Sequence, residues 1–204
     1  MLNHMGQERP LEAREPTFGM SVRKSSDNLS QKMVEYYDDD DNVYEVVYFP
    51  NQRSRMDKII SRLYLGNDVV AQDLSLLKEN KITHILNLTT NIPNKFDHIV
   101  YKKIIMLDIA SQNIRQYFDE SFEFIDESLK DENNSVLVHC NAGVSRSTSF
   151  IIAYLLQKQL FKNYSDALHY VKKRRPVVSP NYGFEKQLIR LEKKCKKKDT
   201  CSLM

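Results

Sequence analysis

A cysteine and an arginine six residues apart carry the most chemistry in this chain. The string VLVHCNAGVSRSTSF, residues 136–150, puts Cys140 just after an apolar run and Arg146 where a second apolar run begins. A strand, a tight loop and a helix in that order make an anion site. Backbone N–H groups of residues 141–146 can turn inward, the helix adds the positive end of its dipole, and Gly143 permits a conformation that other residues resist. Phosphate fits such a cradle. A free thiol is mostly protonated at neutral pH, but inward N–H groups, a helix N-terminus and a guanidinium all favour the thiolate, which makes Cys140 a candidate nucleophile. Arg146 can bind two phosphate oxygens through its planar fork and offset charge in the transition state. Displacing an alkoxide or phenoxide also requires a proton donor on the leaving-group side.

These residues need a rigid frame. Residues 136–138 are uninterrupted apolar residues, as in a central parallel strand covered on both faces, and 147–160 reads as a helix buried all round. Upstream, 61–66 reads as a strand ended by glycine and 67–80 as one capped helix with Leu74 and Leu77 inward. Strands follow at 83–88 and, beyond a loop through Pro93, at 101–106. A helix over 114–130 puts Phe118, Phe122, Ile125 and Leu129 on one face and Asp119, Glu123 and Asp126 in water. Two more helices are expected, one over 165–175 capped by Ser165, the other starting at Ser179 with Pro180 in its first position and running to 194, with Phe184, Leu188 and Leu191 inward. Strand, helix, strand in short order implies a βαβ unit, and no internal repeat is present.

With 204 residues, 41% hydrophobic, the chain suits one domain with tails. The net charge of +3 is a small difference between 30 basic and 27 acidic residues, so distribution matters more than total. An acidic run occupies 38–41, and Lys193, Lys194, Lys196, Lys197 and Lys198 make the end strongly basic. Absence of a long apolar stretch or a secretory signal makes a cytoplasmic chain the expectation. Cys140, Cys195 and Cys201 are expected as reduced thiols. No second His or Cys stands at metal spacing from His84 or His169, and the basic run has no aromatic interleaving of the kind nucleic-acid binders use. Residues 1–52 are polar and read as a flexible arm, within which VYEVVYF at 43–49 suits an edge strand, a docking element or neither.

HCNAGVSRS resembles the HCxxGxxR(S/T) signature of cysteine-based phosphatases, and residues 59–192 are similar to the catalytic domain of the dual-specificity protein phosphatase family. RLYLGN, THILNL, LDIASQNI, FEFID and RRPVVSPNYGFEKQL extend the likeness beyond the loop. The resemblance implies a catalytic domain over 53–194 with a three-layer α/β/α fold and a mostly parallel central sheet. It implies Cys140 as nucleophile and Arg146 as phosphate clamp, with Asn141, Ala142, Gly143, Val144 and Ser145 completing the phosphate-binding loop. Ser147 then aids breakdown of a cysteinyl-phosphate, His139 orients the cysteine, and Asp108 is general acid and then general base. No metal or other cofactor is called for. The implied reaction is hydrolysis of phosphotyrosine and phosphoserine or phosphothreonine on a protein, a protein kinase among the possible partners. The short domain, without the insertions that deepen the pocket of tyrosine-directed relatives, favours dual specificity, and the lysine-free loop disfavours a phosphoinositide. With no room for a rhodanese-like domain in the first 52 residues, the chain is closest to the small atypical members. Two alternatives stay open: a phosphopeptide-binding scaffold without turnover, and a phosphatase for a non-protein substrate.

The last four residues, Cys201, Ser202, Leu203 and Met204, fit the C-a-a-X prenylation pattern with a farnesyl-type final residue, although serine departs from a strictly aliphatic middle. Residues 195–204 thus read as a basic tail that lipid and lysines together would hold on an inner membrane leaflet. A coincidental cysteine is the alternative, and Cys195 is either a second lipidation site or an ordinary exposed thiol.

Overall fold

The computed structural model describes residues 23–28, 31–37, 43–48 and 55–201. Within residues 1–50, which form one unit, β1 (Arg23–Asn28), β2 (Gln31–Tyr37) and β3 (Val43–Tyr48) make an antiparallel sheet in that order. β3 falls within residues 43–49, whose pattern suits an edge strand, and it lies at an edge of this sheet. β1, RKSSDN, has no apolar residue and β2 has its apolar Met33 and Val34 side by side, so neither offers an alternating pattern. The acidic run at 38–41 and residues 202–204 lie outside the described residues.

The second unit carries the expected α/β fold. Its strands are β4 (Asp57–Ile60), β5 (Leu63–Gly66), β6 (His84–Asn87), β7 (Val100–Lys103) and β8 (Val136–His139), ordered β4-β5-β8-β6-β7. β5 and β6 both run parallel to β8, β7 runs parallel to β6, and only β4 is antiparallel. The helices are α1 (Asp68–Ala71), α2 (Leu74–Glu79), α3 (Phe118–Leu129), α4 (Arg146–Gln157), α5 (Tyr164–Arg174) and α6 (Tyr182–Cys201).

Period-two alternation sorts the strand side chains into two cores. Leu63 and Leu65 of β5, Leu86 of β6 and Val136 and Val138 of β8 join Phe118, Phe122 and Ile125 of α3, the buried residues of α4, and Phe184, Leu188 and Leu191 of α6. Ile85 and Leu137 face the other way and meet Val70, Ala71, Leu77, Ile82 and Ile99. The sheet therefore has helices on both faces, and β8 is central because its side chains are buried on each side. In α4 every residue from Ser147 to Leu156 is buried, as its apolar circumference requires. Phe150 meets Phe118 edge to face at 5.4 Å, and burying such a ring contributes roughly 1.5–3 kcal/mol.

Several helix starts differ from the expected ones, and at three of them a different polar side chain takes the capping role. The single helix over 67–80 is two: Asp73 leaves helical geometry and caps α2 by accepting from Leu76 N at 3.1 Å. Asn67 caps α1, accepting from Val70 N at 3.2 Å. α5 is capped by Asn163, which accepts from Asp166 N at 2.9 Å, rather than by Ser165. Ser179 does not start α6: its N–H donates to Val144 O at 2.9 Å, and the cap is Asn181, which accepts from Phe184 N at 3.0 Å. The expected helix over 114–130 opens with a 3-10 turn, Arg115–Tyr117, before α3. On α3, Asp126 is not simply solvated: it accepts from Tyr154 Oη at 2.8 Å and from Lys158 Nζ at 2.6 Å, tying α3 to α4.

Candidate active site

The loop between β8 and α4 lies at the carboxyl end of the central strand, where open parallel sheets commonly bind ligands. The carbonyls of residues 141–144 bond to groups outside the loop, and Ser145 O takes the first bond of α4. Asn141 O accepts from Asp68 N at 3.1 Å, Val144 O from Ser179 N at 2.9 Å and Ser145 O from Ser149 N at 2.8 Å. Arg175 takes the two between, donating from Nη2 to Ala142 O at 3.1 Å and from Nε to Gly143 O at 2.8 Å. A peptide plane whose C=O is held outward turns its N–H the other way. Gly143 N accordingly donates to Cys140 Sγ at 3.2 Å. Gly143 has φ +67°, and a β-carbon there would stand 2.6 Å from Gly66 O and from Arg175 Nη2, so only glycine fits. Ser145 precedes α4 without a side-chain cap, leaving the first-turn N–H groups available to an anion.

Cys140 is buried at 1% exposure, and its Sγ is also 3.2 Å from Ser147 Oγ. Arg146 opens α4; it donates from Nη1 to Leu88 O and Met106 O, each at 3.3 Å, and from Nη2 to Asn141 Oδ1 at 3.0 Å. Asn141 in turn donates to Asn91 Oδ1 at 3.2 Å, so this side chain fixes the guanidinium from one end of the loop. His139 is buried beside Cys140. Burial pushes its pKa down to about 4, and the charges of Lys103 and Arg146 push the same way. Its ring is therefore neutral at pH 7, and Nδ1 has no hydrogen-bond partner among the described residues.

Asp108 comes from the segment after β7, yet it meets the loop directly. Its Oδ1 accepts from Ser145 Oγ at 2.6 Å and from Asn181 Nδ2 at 2.8 Å, and its Oδ2 lies 3.5 Å from Arg146 Nε. Three segments distant in sequence thus converge: 139–147, Asp108 and the start of α6. Asn141, Ala142, Gly143, Val144, Ser145 and Arg146 follow one another between β8 and the start of α4, and Cys201 closes α6 far along the chain. Cys195 is half-buried on α6, packed against the main core, with Sγ 3.6 Å from Gln157 Oε1.

Sequence reasoning gave Arg175 no role. It is 1% exposed, and besides the loop carbonyls it donates to Arg55 O at 3.2 Å and Asp57 Oδ2 at 2.9 Å. Asp57, 4% exposed, also pairs with Arg55. An isolated buried charge is costly, so the Asp57–Arg175 pair is what permits a guanidinium behind the loop. The one sequence hint was an arginine followed by proline after a helix otherwise ending in solvated basic residues.

The family model for the dual specificity phosphatase catalytic domain matches residues 63–194. The chain belongs to the dual specificity phosphatase family. Over 132 residues it is 44% identical to Dual specificity protein phosphatase 1 of Arabidopsis thaliana, covering 64% of this chain and 66% of that protein. Over 127 residues it is 45% identical to Dual specificity protein phosphatase 19 of Mus musculus, covering 62% of this chain and 57% of that one. The crystal structure of the human tyrosine phosphatase-like serine/threonine/tyrosine-interacting protein superposes with a TM-score of 0.63 at 34% identity, over 74% of this chain and 100% of that one. The chain thus spans less than two thirds of the length of the curated dual specificity phosphatases it matches. The match to the family model lies in the second unit and takes in the loop, Asp108 and the greater part of α6.

Proposed function

We propose that this protein hydrolyses phosphotyrosine and phosphoserine or phosphothreonine on proteins through a cysteinyl-phosphate. The observation that carries this is Cys140 Sγ at the floor of a loop with outward carbonyls, 3.2 Å from Gly143 N. In the first step the Cys140 thiolate attacks phosphorus, an S–P bond forms, and the bond to the side-chain oxygen breaks. Asp108 gives that oxygen a proton as it leaves. Arg146 and the inward N–H groups neutralise charge on the equatorial oxygens. In the second step Asp108, now a carboxylate, takes a proton from water as it attacks phosphorus. The S–P bond breaks, inorganic phosphate leaves, and the Ser147 hydroxyl at 3.2 Å stabilises the returning thiolate. His139, neutral and buried, supports the cysteine by packing.

The test is phosphate release from a peptide carrying both phosphothreonine and phosphotyrosine, with wild type beside Cys140→Ser. Loss of both phosphates with wild type alone supports the reading; activity in the variant sinks it. A binding role without turnover gains some support from the likeness to a protein named phosphatase-like and interacting. Tight peptide binding with no phosphate release by wild type is its signature.

The finer reading is a cytoplasmic enzyme held on a membrane surface by a farnesyl on Cys201 and the lysines before it. Its support is the C-a-a-X pattern behind a basic stretch. Among the described residues no helix is long and apolar enough to cross a membrane. Intact mass of protein made in a eukaryotic host tests the modification; wholly unmodified protein there counts against it.

A further inference from the structure

Helix α6 begins against the segment that carries Asp108. Residues 104–114 have neither helix nor strand, so their geometry is set by what they touch. Asn181, while capping α6, donates Nδ2 to Asp108 Oδ1 at 2.8 Å, and its N–H donates to Ser145 Oγ at 3.1 Å. Gly183 lies against Ala110 so closely that a β-carbon there would stand 1.9 Å from Ala110 O. One turn on, Gln187 accepts from Ile114 N and donates to Gln112 O, both at 2.9 Å. Phe184 and Leu188, on the same helix, are fully buried and anchor it in the core.

We infer that the first turns of α6 position the general acid, with Asn181, Gly183 and Gln187 as positioning residues. The inference rests on the phosphatase reading of the site. The three contacts span Asp108 to Ile114 and are made from one rigid, core-anchored helix, so the acid's segment moves only if α6 moves or a contact breaks. The two donors on Oδ1 also choose the working oxygen. With Ser145 Oγ and Asn181 Nδ2 both on Oδ1, the transferable proton sits on Oδ2, which faces the Arg146 guanidinium where a bound phosphoryl group belongs. A misplacement of about 1 Å in such a group costs on the order of a hundredfold in rate.

The decisive variant is Asn181→Asp. Aspartate caps a helix as well as asparagine does, so the α6 start survives, but the donor to Asp108 becomes a carboxylate. Turnover is compared on a phosphothreonine peptide, whose alkoxide needs the acid, and on p-nitrophenyl phosphate, whose leaving group needs it little. The ratio of the two rates falls about tenfold in Asn181→Asp, and less in Gln187→Ala, with thermal unfolding reporting that both variants are folded. Added to Asp108→Asn, Asn181→Asp brings no more than about a twofold further loss, because its effect runs through the acid. An equal fall on both substrates, or an unchanged ratio, overturns the positioning role. A wild type inactive on both overturns the phosphatase reading itself.

Discussion

Arg175 Nε donates to Gly143 O at 2.8 Å, and that one bond joins the wall behind the loop to the residue whose N–H reaches Cys140. The same guanidinium holds Ala142 O and Asp57. A residue outside the HCNAGVSRS string thereby orients two of the peptide planes on which anion binding depends.

Replacing Arg175 by Met leaves buried Asp57 with only the half-exposed Arg55 to offset its charge and is expected to destabilise the fold by about 3 kcal/mol, the low end for breaking a buried pair. Pairing it with Asp57→Leu recovers much of that loss, since an apolar pair removes the uncompensated charge. Activity stays low in the double variant, because Ala142 O and Gly143 O have lost their donor. Denaturant midpoints and phosphatase assays on the same three proteins check this. Recovery of activity together with stability would show that Arg175 acts on the fold alone.

Gly143→Ala meets two obstacles, a φ of +67° and a carbonyl 2.6 Å from the new methyl. The loop must shift, which displaces the N–H that donates to Cys140. Turnover falls on the order of a hundredfold and inhibition by inorganic phosphate weakens in parallel. Steady-state assays with phosphate as competitor measure both; an unaltered inhibition constant would contradict the cradle.

His139 ties stability to pH. Burial holds its pKa down to about 4 in the folded chain against 6.5 unfolded, so the unfolded state takes up a proton first as pH falls. Its contribution is complete above pH 6.5 and is lost between 6.5 and about 4, amounting to roughly 3 kcal/mol. The stability difference between wild type and His139→Gln, from urea unfolding, therefore shrinks as pH drops through that window. A difference that does not change with pH would show that His139 is not held neutral.

Much of this was legible in sequence because the relevant signals are local. The apolar run 136–138 announces a strand buried on both faces, and the spacing of Phe118, Phe122 and Ile125 announces the face of α3. Cys140, Gly143 and Arg146 lie within one loop, so their spacing alone suggests an anion site. Long-range partners leave no such trace. That Ser179 spends its N–H on Val144 O, that Asn181 reaches Asp108, and that Arg175 stands behind Gly143 are all products of chain return. The helix starts at Asn163 and Asn181 were displaced for a related reason: several cap-competent residues sit within a few positions, and tertiary contacts choose among them.

The proposed reaction passes phosphate through Cys140. Its most direct test is to mix Ser147→Ala with a phosphotyrosine peptide, quench in acid within the first turnovers, and map the phosphate by peptide mass. Loss of the hydroxyl 3.2 Å from the sulfur slows breakdown of the intermediate, so phosphate is expected on the peptide containing Cys140, and none in Cys140→Ser. Substrate turnover with no phosphate on Cys140 in wild type or Ser147→Ala, and undiminished rate in Cys140→Ser, would contradict it.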